Sequence, residues 1–312
     1  MSMRVTFLGT GGAVPTTERG PSALLLERDG ERLLFDCGEG TQRQMMRFGT
    51  GFTISHLFVT HLHGDHVLGI PGLVQTLDFN GREDPLAIYG PPGSKPHLRD
   101  LLEAGGYRSS FPVTINEVRP GGVALDATEY EVRTFETDHR NVSSMGYALV
   151  EDDRRGRFDR ERAEELGVPV GPKFGQLHDG EPVELDDGTV VHPDDVVGDP
   201  RPGRRFVYTG DTRPVDATVA VAEEPDLLVH DATFDDEWAE RARRTGHATG
   251  REAAEVATRA GATQLGLVHV SSRYAGDASS IEHEAASAAA DGTEVFLPDD
   301  GHTIEVPFPD EV

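Results

Sequence analysis

The chain reads as an α/β protein of sheet and helix layers, with sheet inside and helices outside. Two observations predict this. Short apolar runs closed by turn residues alternate with stretches of helical period along most of the 312 residues. An apolar fraction of 37% is enough for a sizeable core in one large domain or two ordinary ones. No run approaches the roughly 20 apolar residues of a membrane span, and no repeat with a period of 20 to 50 residues stands out.

Taken in order, residues 3–8, 22–28 and 31–36 are strands, the last two joined by an Asp-Gly turn. The opening MSMRVTFLGTGG has a short apolar run broken by glycines, a strand pattern rather than a signal peptide. Residues 54–60 form a buried strand, and 65–77 have helical period despite Pro71. Residues 123–135 alternate, and 144–150 are a further strand. From 205 the rhythm resumes: strands at 205–209, 226–230 and 264–268, helices near 215–223, 235–244, 249–260 and 278–290. Residues 151–205 interrupt it. They are rich in Asp, Gly, Pro and Arg, with one helical stretch at 158–166, and read as an inserted arm within a domain spanning 1–312.

The charge balance is extreme, with 55 acidic residues against 29 basic ones and a net charge of −26. Only Lys95 and Lys173 are lysines. Such a surface repels itself at ordinary ionic strength, whereas near 1 M salt the Debye length falls to about 3 Å and screens most of the repulsion. The expectation is a cytoplasmic, halophilic protein. The one cysteine, Cys37, excludes an internal disulfide and a Cys-rich zinc site, and reads as core packing. Against this acidic background, Arg154, Arg155, Arg157, Arg160 and Arg162 face only Asp159 and Glu161 over nine residues. A basic island of this kind points to an anionic partner, the other reading being a solvated loop.

The chemistry concentrates in His61-Leu62-His63-Gly64-Asp65-His66, directly after the strand at 54–60. A turn there points His61 and His63 to one side, where their imidazoles can share a metal. Asp65 and His66, at a helix start, can face a second ion about 3.5–4 Å away. Polar groups so crowded at a strand end cannot be buried without a partner. Zn²⁺ accepts this mixture of imidazole and carboxylate, although similar ligands also bind Mn²⁺. His139 and His269 follow other strands and can complete the site, and Asp211 can bridge two ions with its two oxygens. His56, His97, His178, His192 and His283 read as ordinary loop or core histidines.

Together these residues resemble the metallo-β-lactamase superfamily: H-x-H-x-D-H, a later lone His, a Gly-Asp position and a final His. More specifically, LGTGGAVPTTERG at 8–20, FDCGEGTQRQ at 35–44, TDH at 137–139, PVGPKFGQLHDG at 169–180, TGDTRP at 209–214 and HVSSRY at 269–274 resemble the short form of the ribonuclease Z family. These are tRNA 3′-processing endonucleases. The resemblance implies a four-layer αβ/βα sandwich of two similar halves, with metals at one edge. It implies two Zn²⁺ per subunit, one on His61, His63 and His139, the other on Asp65, His66 and His269, with Asp211 between them. It gives Asp65 the general-base role. His247 in GHATG would be the general acid, oriented by Asp231, where the family usually has Glu.

The resemblance further implies that the arm clamps the elbow of precursor tRNA, often from the partner subunit of a homodimer. Arg154, Arg155, Arg157, Arg160, Arg162 and Lys173 of the arm are then candidate RNA contacts, and Arg273 and Arg43 could hold phosphates nearer the metals. The expected activity is hydrolytic removal of the 3′ trailer, leaving a 3′-hydroxyl on the tRNA and a 5′-phosphate on the trailer. Two rivals share the metals: a general phosphodiesterase, and a thioesterase of the glyoxalase II kind, which the arm, GEGTQRQ and HVSSRY do not suit. An RNA-binding module with degenerate metals would show gaps in the ligand set, and there are none.

Overall fold

A computed structural model describes residues 2–311, in two compact units. The larger comprises Met1–Val150 and Arg204–Pro307, and holds two seven-stranded sheets. The first sheet runs, in spatial order, Thr303–Glu305, Met3–Gly9, Ala23–Arg28, Glu31–Phe35, His56–Phe58, Leu86–Gly90, Val113–Glu117. The second runs Glu294–Phe296, Gln264–Val268, Leu227–Asp231, Arg205–Tyr208, Met145–Glu151, Tyr130–Glu136, Val123–Asp126. Each sheet has an antiparallel part that turns into three parallel pairings. The two halves of the chain thus repeat one plan.

Period-two burial on these strands divides the core. Phe7, Phe35, Phe58, Tyr147, Phe206 and Tyr208 from both sheets meet in one cluster, with the Phe35 and Phe58 rings stacked at 5.0 Å. The outer face of the first sheet packs on Met45, Ile70, Leu73, Val74 and Leu98, from helices Thr41–Phe48, Ile70–Phe79 and Ser94–Leu102. The second sheet is covered by the alanine-rich faces of Gly250–Ala260 and Ser279–Ala288. This is the four-layer αβ/βα sandwich of the metallo-β-lactamase fold.

The differences from expectation have local causes. The helical period at 65–77 divides into Gly64–Val67 and Ile70–Phe79, because Pro71 lacks an N–H and is accommodated in the first turn of a new helix. The alternation at 123–135 folds into two antiparallel strands, Val123–Asp126 and Tyr130–Glu136. Strands Leu86–Gly90 and Val113–Glu117 escaped the sequence reading, being short and lacking a strong period.

The second unit comprises Glu151–Gly203 together with the C-terminal stretch from Phe308. It is inserted between Met145–Glu151 and Arg205–Tyr208, which pair antiparallel with Val150 opposite Arg205. It has a small core of Ala163, Val168, Leu177, Val183, Val191 and Val196. The expected helix spans Arg160–Glu165, where the Asp159 carboxylate accepts from the Arg162 N–H at 2.8 Å, and a second helix, Pro172–His178, was not expected. The C-terminal residues were not expected here. Asp310 gathers Arg154, Arg157 and Arg201, and the Arg154 guanidinium lies 3.4 Å from the Phe308 ring centre.

Candidate metal centre

Most residues of the site lie just beyond the carboxyl end of a strand, while His247 follows the helix Ala239–Thr245. Asp36 follows Glu31–Phe35, His61 lies three residues after His56–Phe58, and His139 three after Tyr130–Glu136. Asp211 follows Arg205–Tyr208, Asp231 ends Leu227–Asp231, and His269 directly follows Gln264–Val268. Ligand sites of open α/β sheets form at these ends. The backbone is strained to achieve it. Asp36 and His269 have φ of 56° and 65°, a left-handed conformation uncommon outside glycine. Gly12 permits a close approach, since a Cβ there would stand 2.6 Å from the His269 ring.

Two clusters result, and they share Asp211. In one, His61, His63, His139 and Asp211 bring their ligand atoms within 4.8 Å of one another; in the other, Asp65, His66, Asp211 and His269 do the same. Asp211 Oδ2 lies 3.7 Å from Nε2 of both His61 and His139 and 3.2 Å from that of His269, and Oδ1 lies 3.2 Å from His66 Nε2. His66 Nε2, His61 Nε2 and Asp211 Oδ1 are buried without a hydrogen-bond partner. Orphaned buried polar atoms are costly, and a cation among them would relieve the cost. The residues fit a metal.

The histidines are oriented for it. Asp36 Oδ2 lies 2.7 Å from His66 Nδ1 and also accepts from the Tyr208 hydroxyl at 2.9 Å. The Thr60 hydroxyl donates to Asp36, so its oxygen can accept from His61 Nδ1 at 3.1 Å. The Gly246 carbonyl holds His139 Nδ1 at 2.7 Å. The Thr233 hydroxyl donates to Asp231 Oδ1 at 2.7 Å and faces His269 Nδ1 at 2.8 Å. With each Nδ1 so engaged, the Nε2 atoms of these four rings are left to face the cavity. Outer partners of this kind set tautomer and ring orientation in metal sites. Asp36, Thr60 and Thr233 were not singled out in the sequence. Their motifs, FDCG and HDATF, were visible, but a supporting role has no spacing of its own.

The field is strongly anionic. Burial opposes charge on His66, but Asp211 and Asp36 outweigh it and lift that imidazole well above its ordinary range. His269 is likewise raised to about 9, with Asp211 and Asp65 overcoming its burial. His61, buried and facing His66, is depressed. Asp65 is lowered despite burial by the His269 hydrogen bond, and also accepts from the Ala13 N–H at 2.7 Å. A third grouping sits beside these, with Asp231 Oδ2 2.8 Å from His247 Nδ1. An open cavity of about 390 Å³ is lined by His63, Asp65, His139, Asp211, His247 and His269, with Arg140 at its rim.

The predicted arm residues lie in the second unit and are largely engaged with acids. Arg154 is 15% exposed and committed to Asp310 and Phe308, an internal role that the basic-island reading did not anticipate. Arg155, Arg157, Arg160 and Arg162 remain more than half exposed, though they contact Asp179, Asp310, Glu164 and Glu165. Lys173 donates to the Glu184 carbonyl at 2.7 Å. The island is local: residues 151–203 carry fifteen carboxylates against seven cations. Arg43 is exposed on Thr41–Phe48, and Arg273 lies four residues after His269.

Fold and site together define a protein of the metallo-β-lactamase superfamily with a His/Asp metal-binding constellation. Residues 3–155 match the family model described as anti-Pycsar protein Apyc1, and residues 195–270 match a beta-lactamase superfamily domain. The chain is 70% identical to ribonuclease Z of Halorubrum lacusprofundi, over 99% of both chains. It is 68% identical to ribonuclease Z of Haloferax volcanii, over 99% of this chain and 97% of that one. The crystal structure of human tRNase Z, short form, superposes with a TM-score of 0.71 at 29% identity, covering 98% of this chain and 100% of that one. The chain belongs to the ribonuclease Z family. Among the described residues no helix is long and apolar enough to cross a membrane.

Proposed function

We propose that this protein is an endoribonuclease that removes the 3′ trailer from precursor tRNA by metal-dependent hydrolysis. One observation carries the chemistry: Asp211 stands between two histidine clusters, and its buried Oδ1 and the buried Nε2 atoms of His61 and His66 lack hydrogen-bond partners. Family membership supplies the substrate. His61, His63 and His139 would hold one Zn²⁺, Asp65, His66 and His269 the other, and Asp211 would bridge them. When bound, paired Zn²⁺ ions lower the pKa of a shared water and neutralise charge building on the phosphate. Asp65, kept ionised, accepts the proton of the attacking water. His247 supplies a proton to the leaving 3′-oxygen, and Asp231, 2.8 Å from its Nδ1, fixes its ring. Water attack leaves a 3′-hydroxyl on the tRNA and a 5′-phosphate on the trailer.

The arm would grip the tRNA body through Arg155, Arg157, Arg160, Arg162 and Lys173, with Arg154 bracing them from within and the partner subunit of a homodimer taking part. Arg273 would hold RNA nearer the cut. The composition suits a cytoplasm of high salt, where screened repulsion stabilises so acidic a surface. The test is a 3′-extended tRNA incubated with metal-loaded protein over a range of salt, with and without chelator, followed by end-group mapping. A cut at the trailer boundary that disappears with chelator supports the reading. A thioester substrate hydrolysed in its place would overturn it.

A further inference from the structure

The chain's one tryptophan, Trp238, is linked to the cavity-lining His247 through Arg273 and Phe234. Trp238 is 39% exposed, high for an aromatic side chain that contributes nothing to the core clusters. The Arg273 guanidinium lies over it, 4.0 Å from the ring centre, and 5.7 Å from the centre of the Phe234 ring. Phe234 in turn meets His247 edge-on, with ring centres 6.3 Å apart and planes at 71°. The backbone holds this ladder in place: the Gly250 N–H donates to the Phe234 carbonyl at 3.0 Å, and the Trp238 N–H to the Asp235 carbonyl at 3.0 Å. Trp238, Arg273, Phe234 and His247 therefore form a continuous run from solvent to the acid side of the site.

Arg273 differs from its neighbours. Arg243 and Arg251 contact Glu252 and Asp236, whereas no carboxylate pairs with Arg273 among the described residues. In a chain of net charge −26, a guanidinium left unneutralised and held over an exposed indole is suited to an anion that carries an aromatic ring. A nucleotide is such a group. Stacking on aromatic side chains, with Arg assisting, is how unpaired bases are held without a fixed sequence.

We propose that Trp238 and Arg273 form a ledge for the last nucleotide the tRNA retains, the indole stacking on its base and the guanidinium meeting its 5′ phosphate. This rests on the tRNA-processing reading above. The side follows from His247: the leaving 3′-oxygen belongs to the retained nucleotide, and the ladder leads to His247.

Because Trp238 is the only tryptophan, its emission reports on the ledge alone. Metal-loaded protein is titrated with a processed tRNA ending at the retained nucleotide, and with the same RNA made abasic at that position, while filter retention follows binding. Quenching by the intact RNA, with little by bound abasic RNA, is the expected result. Equal quenching by both, or none by bound intact RNA, overturns the ledge. In a second arm, W238A should lower kcat/KM on precursor tRNA about tenfold, chiefly through KM, and W238F should restore most of it. W238A cleaving at the unmutated level overturns the ledge, even where cleavage itself is intact. Precursor tRNA left uncut by the unmutated, metal-loaded protein sinks the processing reading, a separate failure.

Discussion

Asp231 and His247 meet at 2.8 Å, carboxylate Oδ2 to imidazole Nδ1, although the aspartate is one methylene shorter than the glutamate usual at this position. The reach is recovered because Asp231 ends its strand fully buried and is aimed by three further donors, the N–H groups of Thr212 and Thr233 and the Thr233 hydroxyl. Its carboxyl is held below the usual range, with the His247 interaction overcoming burial. The same carboxylate, through Thr233, reaches His269. One buried aspartate is thus connected to both His247 and His269.

His247→Ala is expected to lower kcat on precursor tRNA by about 10²–10⁴-fold, with a much smaller change in the affinity for processed tRNA. Asp231→Asn should shift kcat in the same direction and by less. Single-turnover kinetics beside filter binding measures both. Equal losses of turnover and binding for His247→Ala would remove it from the proton-transfer role.

Thr233→Val keeps the shape but deletes the hydroxyl between Asp231 and His269. Metal affinity should fall by about 10–100-fold, as when other outer partners of metal-bound histidines are lost. Competition with a chromogenic chelator reads this directly.

Gly12→Ala would place a methyl 2.6 Å from the His269 ring, with no room for either to move far in a buried site. The variant should fold, as circular dichroism would show, yet retain less than the full complement of metal by elemental analysis. Full metal content would mean that the strand at Gly11–Gly12 yields more easily than its pairing with Val270–Ser271 suggests.

His230 is fully buried, and burial depresses its imidazole below the ordinary 6.5. The unfolded chain then takes up a proton that the folded chain refuses. Its contribution to stability is complete above about pH 6.5 and is lost as pH falls through that value towards the depressed pKa, by at most about 1.4 kcal/mol per pH unit. Urea midpoints of metal-free protein between pH 7 and 5 should fall less steeply in His230→Gln than in the unmutated chain.

Cys37 is completely buried, and that burial raises its thiol to about 12. It should stay unreactive towards a thiol-specific disulfide reagent at pH 8 in the folded protein and react in full once denaturant is added. Reaction at native rates typical of free thiols would place Cys37 at a more open position.

The sequence by itself determined the layered α/β class, the break in rhythm after residue 150 and the crowding of histidine and aspartate at 61–66. Each of these leaves a local trace: a period of two or 3.6, a change in composition, or three histidines in six residues. His139, Asp211 and His269 were legible as candidates at strand ends, and a family's wording around them gave each its place in a ligand set. Tertiary structure alone decided which nitrogen of each histidine faces the cavity, since that depends on Asp36, Thr60, Thr233 and the Gly246 carbonyl arriving from distant strands. It also turned Arg154 from a surface cation into an internal brace against the C-terminal Asp310, 156 residues away. Contacts of such separation carry no period and no spacing, because they are set by how strand ends converge and not by the order of residues along any one of them.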